Sequence, residues 1–195
     1  MLLPSLVFLL FMNEKRQKNP ASKNSTWNAH VNRVLGEVHP GHGISSESKL
    51  FMNRFINTIG KRIVDKTIAL GKKTADKTST PEEIINAVQH VMHDEHGLKT
   101  HSISELKKRL KDPSYVELSL VNAKQLFMNS NNTLVLHNDT HIALTAVLVY
   151  LTAEILDLAG SVAESESLPF ISPTHIKIAI KNDPEFKSLF KKLKL

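Results

Sequence analysis

The sequence predicts an all-α protein built from two tandem copies of one plan, in which a long helix lies between two short ones. Three observations carry this prediction. Hydrophobic residues make up 41% of the 195 residues, with only seven Gly and eight Pro, as is typical of a helix-rich core. Apolar residues recur at helical spacing through two long stretches. A Ser-Pro or Thr-Pro pair begins the last short helix of each copy.

In the first copy, residues 27–38 form a predicted short amphipathic helix that the HPGHG run ends. Ser45 or Ser46 then caps a long helix over residues 46–71. A Thr-Pro pair at residues 80–81 begins the next short helix, EEIINAVQHVM, with acidic residues in its first turn. Apolar residues recur every four positions along the long helix and form one stripe, at Phe51, Phe55, Ile59 and Ile63.

The second copy begins with a short helix over residues 118–128, and its long helix starts near Thr140 and continues to about residue 163. A Ser-Pro pair at residues 172–173 begins the last short helix, which an Asn-Asp-Pro run at residues 182–184 stops. The stripe of this long helix alternates steps of four and three, at Leu144, Leu148, Leu151, Ile155 and Leu158.

Each long helix needs a cover for its apolar stripe, because two short neighbours leave more than half of it in water. A buried Leu, Ile or Phe side chain contributes about 1.5–3 kcal/mol. We therefore expect residues 140–163 to cross residues 46–71. An ordinary helical bundle is the alternative that the pattern alone leaves open.

Specific sequence motifs favour the crossed long helices over an ordinary helical bundle. The segment RVLGEVHPGHGISSESKLFMNRFINTIGKRI resembles histone 2B, and LKTHSISELKKRL resembles that histone's extra C-terminal helix. The segments AVLVYLTAEILDLAG and IKIAIKNDPE resemble histone 2A. Together they resemble the fused core-histone doublets of giant DNA viruses, which implies two tandem histone folds forming an intrachain handshake heterodimer. The implied domains are a leader and basic tail at 1–26, a histone 2B-like fold at 27–111, a linker at 112–117 and a histone 2A-like fold at 118–195.

The resemblance implies a function in non-sequence-specific packaging of double-stranded DNA, as the histone 2B-2A dimer unit of a nucleosome-like particle. The net charge of +6 suits this function. The implied partners are histone 3 and 4-like proteins or their fused doublet, in a nucleus, a viral factory or a virion. The candidate DNA-binding residues, each of which could instead be an ordinary solvated side chain, are Arg33, Ser45, Ser46, Lys72, Lys73, Lys77, Thr78 and Lys124.

Some residues depart from the family pattern. Val135 and Phe170 stand where histone 2A has the arginines of its two loops, and Asp139 lies at the start of the second long helix. Glu164 and Glu166 add negative charge nearby. We therefore predict weaker and more salt-sensitive wrapping of DNA than in cellular chromatin.

The resemblance also implies an acidic patch that receives basic peptides, although the same residues could be plain surface charge. Val149, Pro184 and Gly97 stand where three further acids would be, so the patch is thinned. Its predicted members are Glu105, Glu154, Asp157, Asp183 and Glu185. A four-helix contact with histone 4 has three rough candidates, which could equally be core residues: Leu70, Ile84 and Val88.

Other kinds of function would need motifs of their own. His90, His93 and His96 have helical spacing for a shared metal, but they fall where a helix ends, so we expect no metal. The sequence contains no phosphate-binding Gly-rich loop, nucleophile motif or catalytic carboxylate pair, so we expect neither an enzyme nor a cofactor. The main alternative is a histone-fold transcription-factor platform resembling nuclear factor Y, with sequence-specific DNA binding.

The two ends of the sequence lead to expectations about membrane association, secretion and a C-terminal extension. The opening MLLPSLVFLLFM is too short to span a bilayer, which needs roughly 20 apolar residues, and no cleavage site follows it. We therefore expect no membrane association and no secretion, with Met12 as a possible true start. Because the sequence stops at Leu195, we expect the family's C-terminal docking extension to be absent.

Overall fold

The computed structural model describes residues 27–73, 78–92, 97–113, 119–130 and 134–195. These residues form an all-α protein, with eight helices and four two-residue strands. The first half contains α1 (Asn28–Val38), β1 (Gly43–Ile44), α2 (Ser46–Gly71), β2 (Thr78–Ser79), α3 (Pro81–Val91) and α4 (Leu98–Lys111). The second half contains α5 (Leu120–Met128), β3 (Val135–Leu136), α6 (Asn138–Ser165), β4 (Phe170–Ile171), α7 (Pro173–Asn182) and α8 (Pro184–Leu193).

The helix starts confirm the predicted caps. The Ser45 hydroxyl accepts a hydrogen bond from the backbone N–H of Ser48 at 3.1 Å, which fixes the first turn of α2. Thr80 begins α3 with a capping box, in which the Glu83 carboxylate accepts from the Thr80 N–H at 2.8 Å. Ser172 caps α7 in the same manner. Local sequence therefore sets where these helices begin.

The long helices α2 and α6 contact each other, as their stripes predicted. Gly60, in the middle of α2, lets a neighbour approach closely, because a Cβ there would lie 2.6 Å from Leu126 Cδ1 and 3.4 Å from Leu148 Cδ1. The stripe residues Phe55, Ile59, Ile63, Leu144, Leu148, Leu151 and Ile155 are all buried in one continuous core.

Helix α8 was not predicted. The Asn-Asp-Pro run does end α7, but the Asp183 carboxylate then accepts from the Phe186 N–H at 2.8 Å and so begins another helix. The ring of Phe190 stacks on Phe55 with centroids 4.9 Å apart. The chain therefore uses the end of its second half to cover α2 in its first half.

Short strands join the two halves at both ends of the long helices. β1 pairs in parallel with β4, and β2 pairs in parallel with β3. Because β1 precedes α2 while β4 follows α6, and β2 follows α2 while β3 precedes α6, the long helices run in opposite directions. The two loop pairs are separated by roughly the length of α2, about 40 Å at 1.5 Å per residue.

A buried histidine also links the halves. His30 of α1 lies 3.2 Å from the Thr152 hydroxyl of α6 through Nε2 and 2.7 Å from the Ser119 hydroxyl through Nδ1. Its side chain is fully enclosed, and this burial, with the positive charge of Arg33, lowers the pKa of His30 to about 3. His30 is therefore neutral in the folded protein.

Helix α6 is long and apolar enough to cross a bilayer by length and composition. Most of its apolar window is buried against the other helices, so the same composition is accounted for by its place at the centre of the core.

Candidate nucleic-acid interface

Each paired loop leads directly into two helix N-termini. β1 and β4 run into α2 and α7, while β2 and β3 run into α3 and α6. The first turn of a helix has backbone N–H groups without helical partners and the positive end of the helix dipole. Each end of the long-helix pair therefore presents two adjacent groups of donors that suit a phosphate.

The β1–β4 loop pair contains two predicted DNA-binding residues. The Ser45 side chain is half-buried, because its hydroxyl caps α2 and donates to the Ser48 hydroxyl at 3.1 Å. Ser46, the first residue of α2, is exposed. Ser46 is thus available to a ligand, whereas Ser45 serves mainly to order the helix start.

The β2–β3 loop pair carries the exposed cations. Lys72 and Lys73 follow α2 directly and are exposed, and Thr78 is half-buried opposite Val135 in the strand pair. Lys77 lies outside the described residues. Asp139 is half-exposed in the first turn of α6, 3.8 Å from His137 Nδ1, and it weakens the positive field at this end.

Lys124 belongs to the same end of the molecule. It is exposed on α5, and its charge helps burial to lower the pKa of His141 in the first turn of α6. Lys124 therefore lies near the N-terminus of α6, the next helix along the chain, against which α5 packs.

Arg33 lies elsewhere. Its side chain is only 20% exposed, and its guanidinium lies 3.8 Å from the Glu37 carboxylate. Burial is the main cause of a lowered Arg33 pKa, and the neighbouring charge of Arg109 contributes. Arg33 is thus partly buried and already faces a carboxylate, and its contact with DNA stays a prediction.

The other four predicted acids lie around Glu154 and Tyr150. Burial raises the pKa of Glu154 to about 7, and the nearby charges of Asp157, Asp183 and Glu185 contribute. The Tyr150 pKa is raised too, first by burial and then by acids that include Glu105. Tyr150 was missed by the sequence interpretation, although its spacing of four from Glu154 places both on one helix face.

Most of these carboxylates already have partners within the chain. Glu105 pairs with Arg109 at 2.6 Å, and the Asp157 carboxylate lies 3.4 Å from His39 Nε2. Glu185 accepts from the Leu98 N–H at 2.8 Å, while Asp183 caps α8. The patch is therefore thinned by internal contacts as well as by composition.

The three positions without an acid have structural roles of their own. Val149 is buried in α6. Pro184 is the first residue of α8, where its missing N–H costs nothing. Gly97 precedes α4 with a φ of 109°, in the left-handed region that favours glycine.

Two further sets of predicted residues are the candidates for a contact with histone 4 and the histidines near residue 93. Ile84 and Val88 are fully buried within the chain, so they are core residues and not an outward-facing contact for histone 4. Leu70 is only partly buried against the same core, so its part in such a contact stays a prediction. His90 Nδ1 lies 2.7 Å from the Asn86 carbonyl, while residues 93 and 96 lie outside the described residues. Within the described part of the chain, no group of three or more His, Asp or Glu side chains is arranged to hold a metal.

A comparison of the sequence with models of known protein families finds no match.

Proposed function

We propose that this chain packages duplex DNA without sequence specificity, as the histone 2B-2A dimer unit of a nucleosome-like particle. In this proposal the chain contains two tandem histone folds that form an intrachain handshake. One observation carries it: at each end of the crossed long helices, a loop of one half pairs in parallel with a loop of the other half.

This reciprocal pairing supports DNA binding because it duplicates one donor arrangement at two places about 40 Å apart. Both loop pairs place helix N-termini side by side, and one adds the exposed cations Lys72, Lys73 and Lys124. Backbone N–H groups and lysines contact phosphates, which carry no direct sequence information. A surface of this kind grips the duplex backbone and is expected to discriminate little between sequences.

Fusion in one chain supports the same role. Helix α4 ends at Lys111 and α5 begins at Leu120, so the connection between the halves is short. A short connection makes the pairing intramolecular, at an effective concentration of about millimolar. The two halves are then always supplied in equal number, as a particle of fixed composition requires.

The proposed partners are histone 3 and 4-like proteins or their fused doublet, where DNA is compacted in a nucleus, a viral factory or a virion. The acidic residues around Tyr150 and Glu154 are proposed to receive basic segments of neighbouring proteins. We expect this contact to be weak, because all five carboxylates already have internal partners, Glu154 through its hydrogen bond with Tyr150.

Reconstitution with duplex DNA and a histone 3 and 4-like doublet, followed by nuclease digestion, tests the proposal. Packaging predicts protected fragments of regular size from any sequence. Protection of a single preferred sequence would instead support the transcription-factor-like platform. The absence of DNA binding even at low salt would refute both.

Charge-reversal variants test which end binds. Lys72→Glu with Lys73→Glu should lower the affinity for DNA and make its dependence on salt concentration shallower, because two phosphate contacts are lost. Lys107→Glu with Lys111→Glu changes the net charge equally on the exposed side of α4 and serves as the control. Equal losses in both double variants would mean that only net charge matters.

A further inference from the structure

The two long helices carry charges of opposite sign. Helix α6 contains four acids and no Lys or Arg. Helix α2 contains five cations and only two acids, Glu47 and Asp65. Since an ordinary solvated surface has both signs interspersed, this segregation indicates a use for the basic side of α2.

Four of the five α2 cations lie on one side of the helix, which we call the α2 outer face. Arg54, Lys61 and Arg62 are exposed and Lys66 is half-buried, and their spacing of seven, one and four residues places them on one side. The Lys61 ammonium lies 2.6 Å from the Asp65 carboxylate. With the residues that the structure describes, Arg54, Arg62 and Lys66 form no ion pair. Three cations of this face are therefore available to a ligand.

The length of the α2 outer face suits the backbone of a duplex. From Arg54 to Lys66 the helix rises about 18 Å, at about 1.5 Å per residue. Over that length one strand of DNA presents about five phosphates, because it carries one charge per about 3.4 Å of its axis. Cations on a rigid helix can therefore contact several phosphates at once.

The polarity of this face favours DNA over a protein partner. Among the described residues of α2, Leu50 is the only large apolar side chain that is exposed, and it precedes Arg54 by one turn. Protein interfaces centre on apolar or aromatic anchors, whereas DNA interfaces are polar and strongly positive. The exposed Asn57, whose side-chain oxygen accepts from the Trp27 indole N–H at 3.0 Å, adds an amide donor of the kind that contacts phosphates.

We propose that the α2 outer face holds a second segment of duplex DNA, so that one chain bridges two stretches of duplex. This inference rests on the proposed function, in which the loop pairs hold the first segment. It adds a binding site that lies outside those loops.

The directions of the two surfaces call for two segments. Backbone N–H groups in a first turn point along the helix axis, whereas the side chains of the outer face point away from that axis. To contact both, one duplex would have to turn through about a right angle over the length of α2, which is roughly 12 base pairs. Even in a nucleosome, DNA bends by only about 45° per helical turn of about 10 base pairs.

Capture of one duplex by another tests the bridge with the full chain. A duplex fixed to beads is saturated with the chain, free chain is washed away, and a fluorescent duplex of unrelated sequence is added. The wild type should retain the fluorescent duplex. Arg54→Glu with Arg62→Glu should lower retention by about tenfold, because two attractive charges become repulsive. Its affinity for a single duplex should fall no further than that of the control, since the loop pairs hold the first segment.

Three further variants separate the site from net charge. The control, Lys107→Glu with Lys111→Glu, changes the net charge equally on the exposed side of α4 and should retain the second duplex. Arg54→Lys with Arg62→Lys keeps both charges and should keep most of the retention. Asp65→Asn removes the acid that pairs with Lys61 and should raise it. Circular dichroism checks that each variant keeps its helices.

Sedimentation of the bridged complex should show one chain between two duplexes. If each complex instead contains two chains and Arg54→Glu with Arg62→Glu separates them, the face is a contact between proteins and the bridge is refuted. If the wild type binds one duplex but retains no second one, or if that double variant retains it fully, the bridge is refuted while the packaging proposal stands. Equal losses in the α4 control would show that the α2 outer face has no special role. If the wild type binds no DNA, both proposals fail.

Discussion

Mild acid should weaken the fold through His30. Thr152 donates its hydroxyl proton to the Leu148 carbonyl at 2.7 Å, so its oxygen accepts from His30 Nε2–H. His30 Nδ1 is then free of a proton and accepts from the Ser119 hydroxyl. Both ring nitrogens are therefore satisfied in neutral imidazole. Protonation would force the Ser119 hydroxyl to change from donor to acceptor and would place a positive charge in the core, near that of Arg33.

The size of the effect follows from the difference between the two states. The pKa of His30 is about 3 in the folded protein and 6.5 in its ordinary environment. The folded state therefore binds a proton more weakly than the unfolded state, and stability falls as the pH drops below about 6.5. Each pH unit below that point costs about 1.4 kcal/mol, so the loss at about pH 5 is roughly 2 kcal/mol.

Urea denaturation at about pH 7 and about pH 5 measures this loss, followed by circular dichroism. His30→Gln keeps a polar side chain without the titration, so its unfolding free energy should fall by roughly 2 kcal/mol less than that of the wild type over this range. His101→Gln, at an exposed position of α4, is the control and should keep the wild-type response. If His30→Gln keeps it too, the buried neutral histidine does not cause the acid sensitivity.

Three further substitutions test contacts in the core and at the acidic patch. Gly160→Ala would place a Cβ 2.2 Å from His39 Cδ2 and should lower the unfolding free energy by about 1–3 kcal/mol; an unchanged urea midpoint would contradict the contact. Gly36→Ala, with no atom within 4 Å of the new Cβ, should raise it by up to about 1 kcal/mol and is the matched control. Glu154→Gln removes a buried carboxyl with a pKa of about 7. Because that carboxyl is harder to ionise folded than unfolded, the variant should gain about 1–3 kcal/mol at about pH 8 and little at about pH 5; equal gains at both pH values would show that ionisation is not the cause.

The sequence predicted which acids form the candidate patch, but it did not predict which of them already have partners within the chain. The acids around Glu154 were predicted and are brought together, because they lie on α6, on α4 and at the α7–α8 junction, which pack on one another. The Glu105–Arg109 pair lies four residues apart on one helix and could have been read from the sequence. The contact of Asp157 with His39 could not, since His39 comes from the other half of the chain. For the same reason the burial of Arg33 could not be inferred from a helix position that reads as exposed.

The sequence by itself determined where most of the helices begin, α8 excepted, and which face of each long helix is apolar. Caps, prolines and three-or-four spacing act over a few residues, so they can be read without knowing the rest of the chain. Only the tertiary structure decided that β1 meets β4, that α8 covers α2 and that Phe170 rests on Gly43. Those contacts join residues far apart in the chain, and they depend on how two long helices cross, which no local pattern specifies.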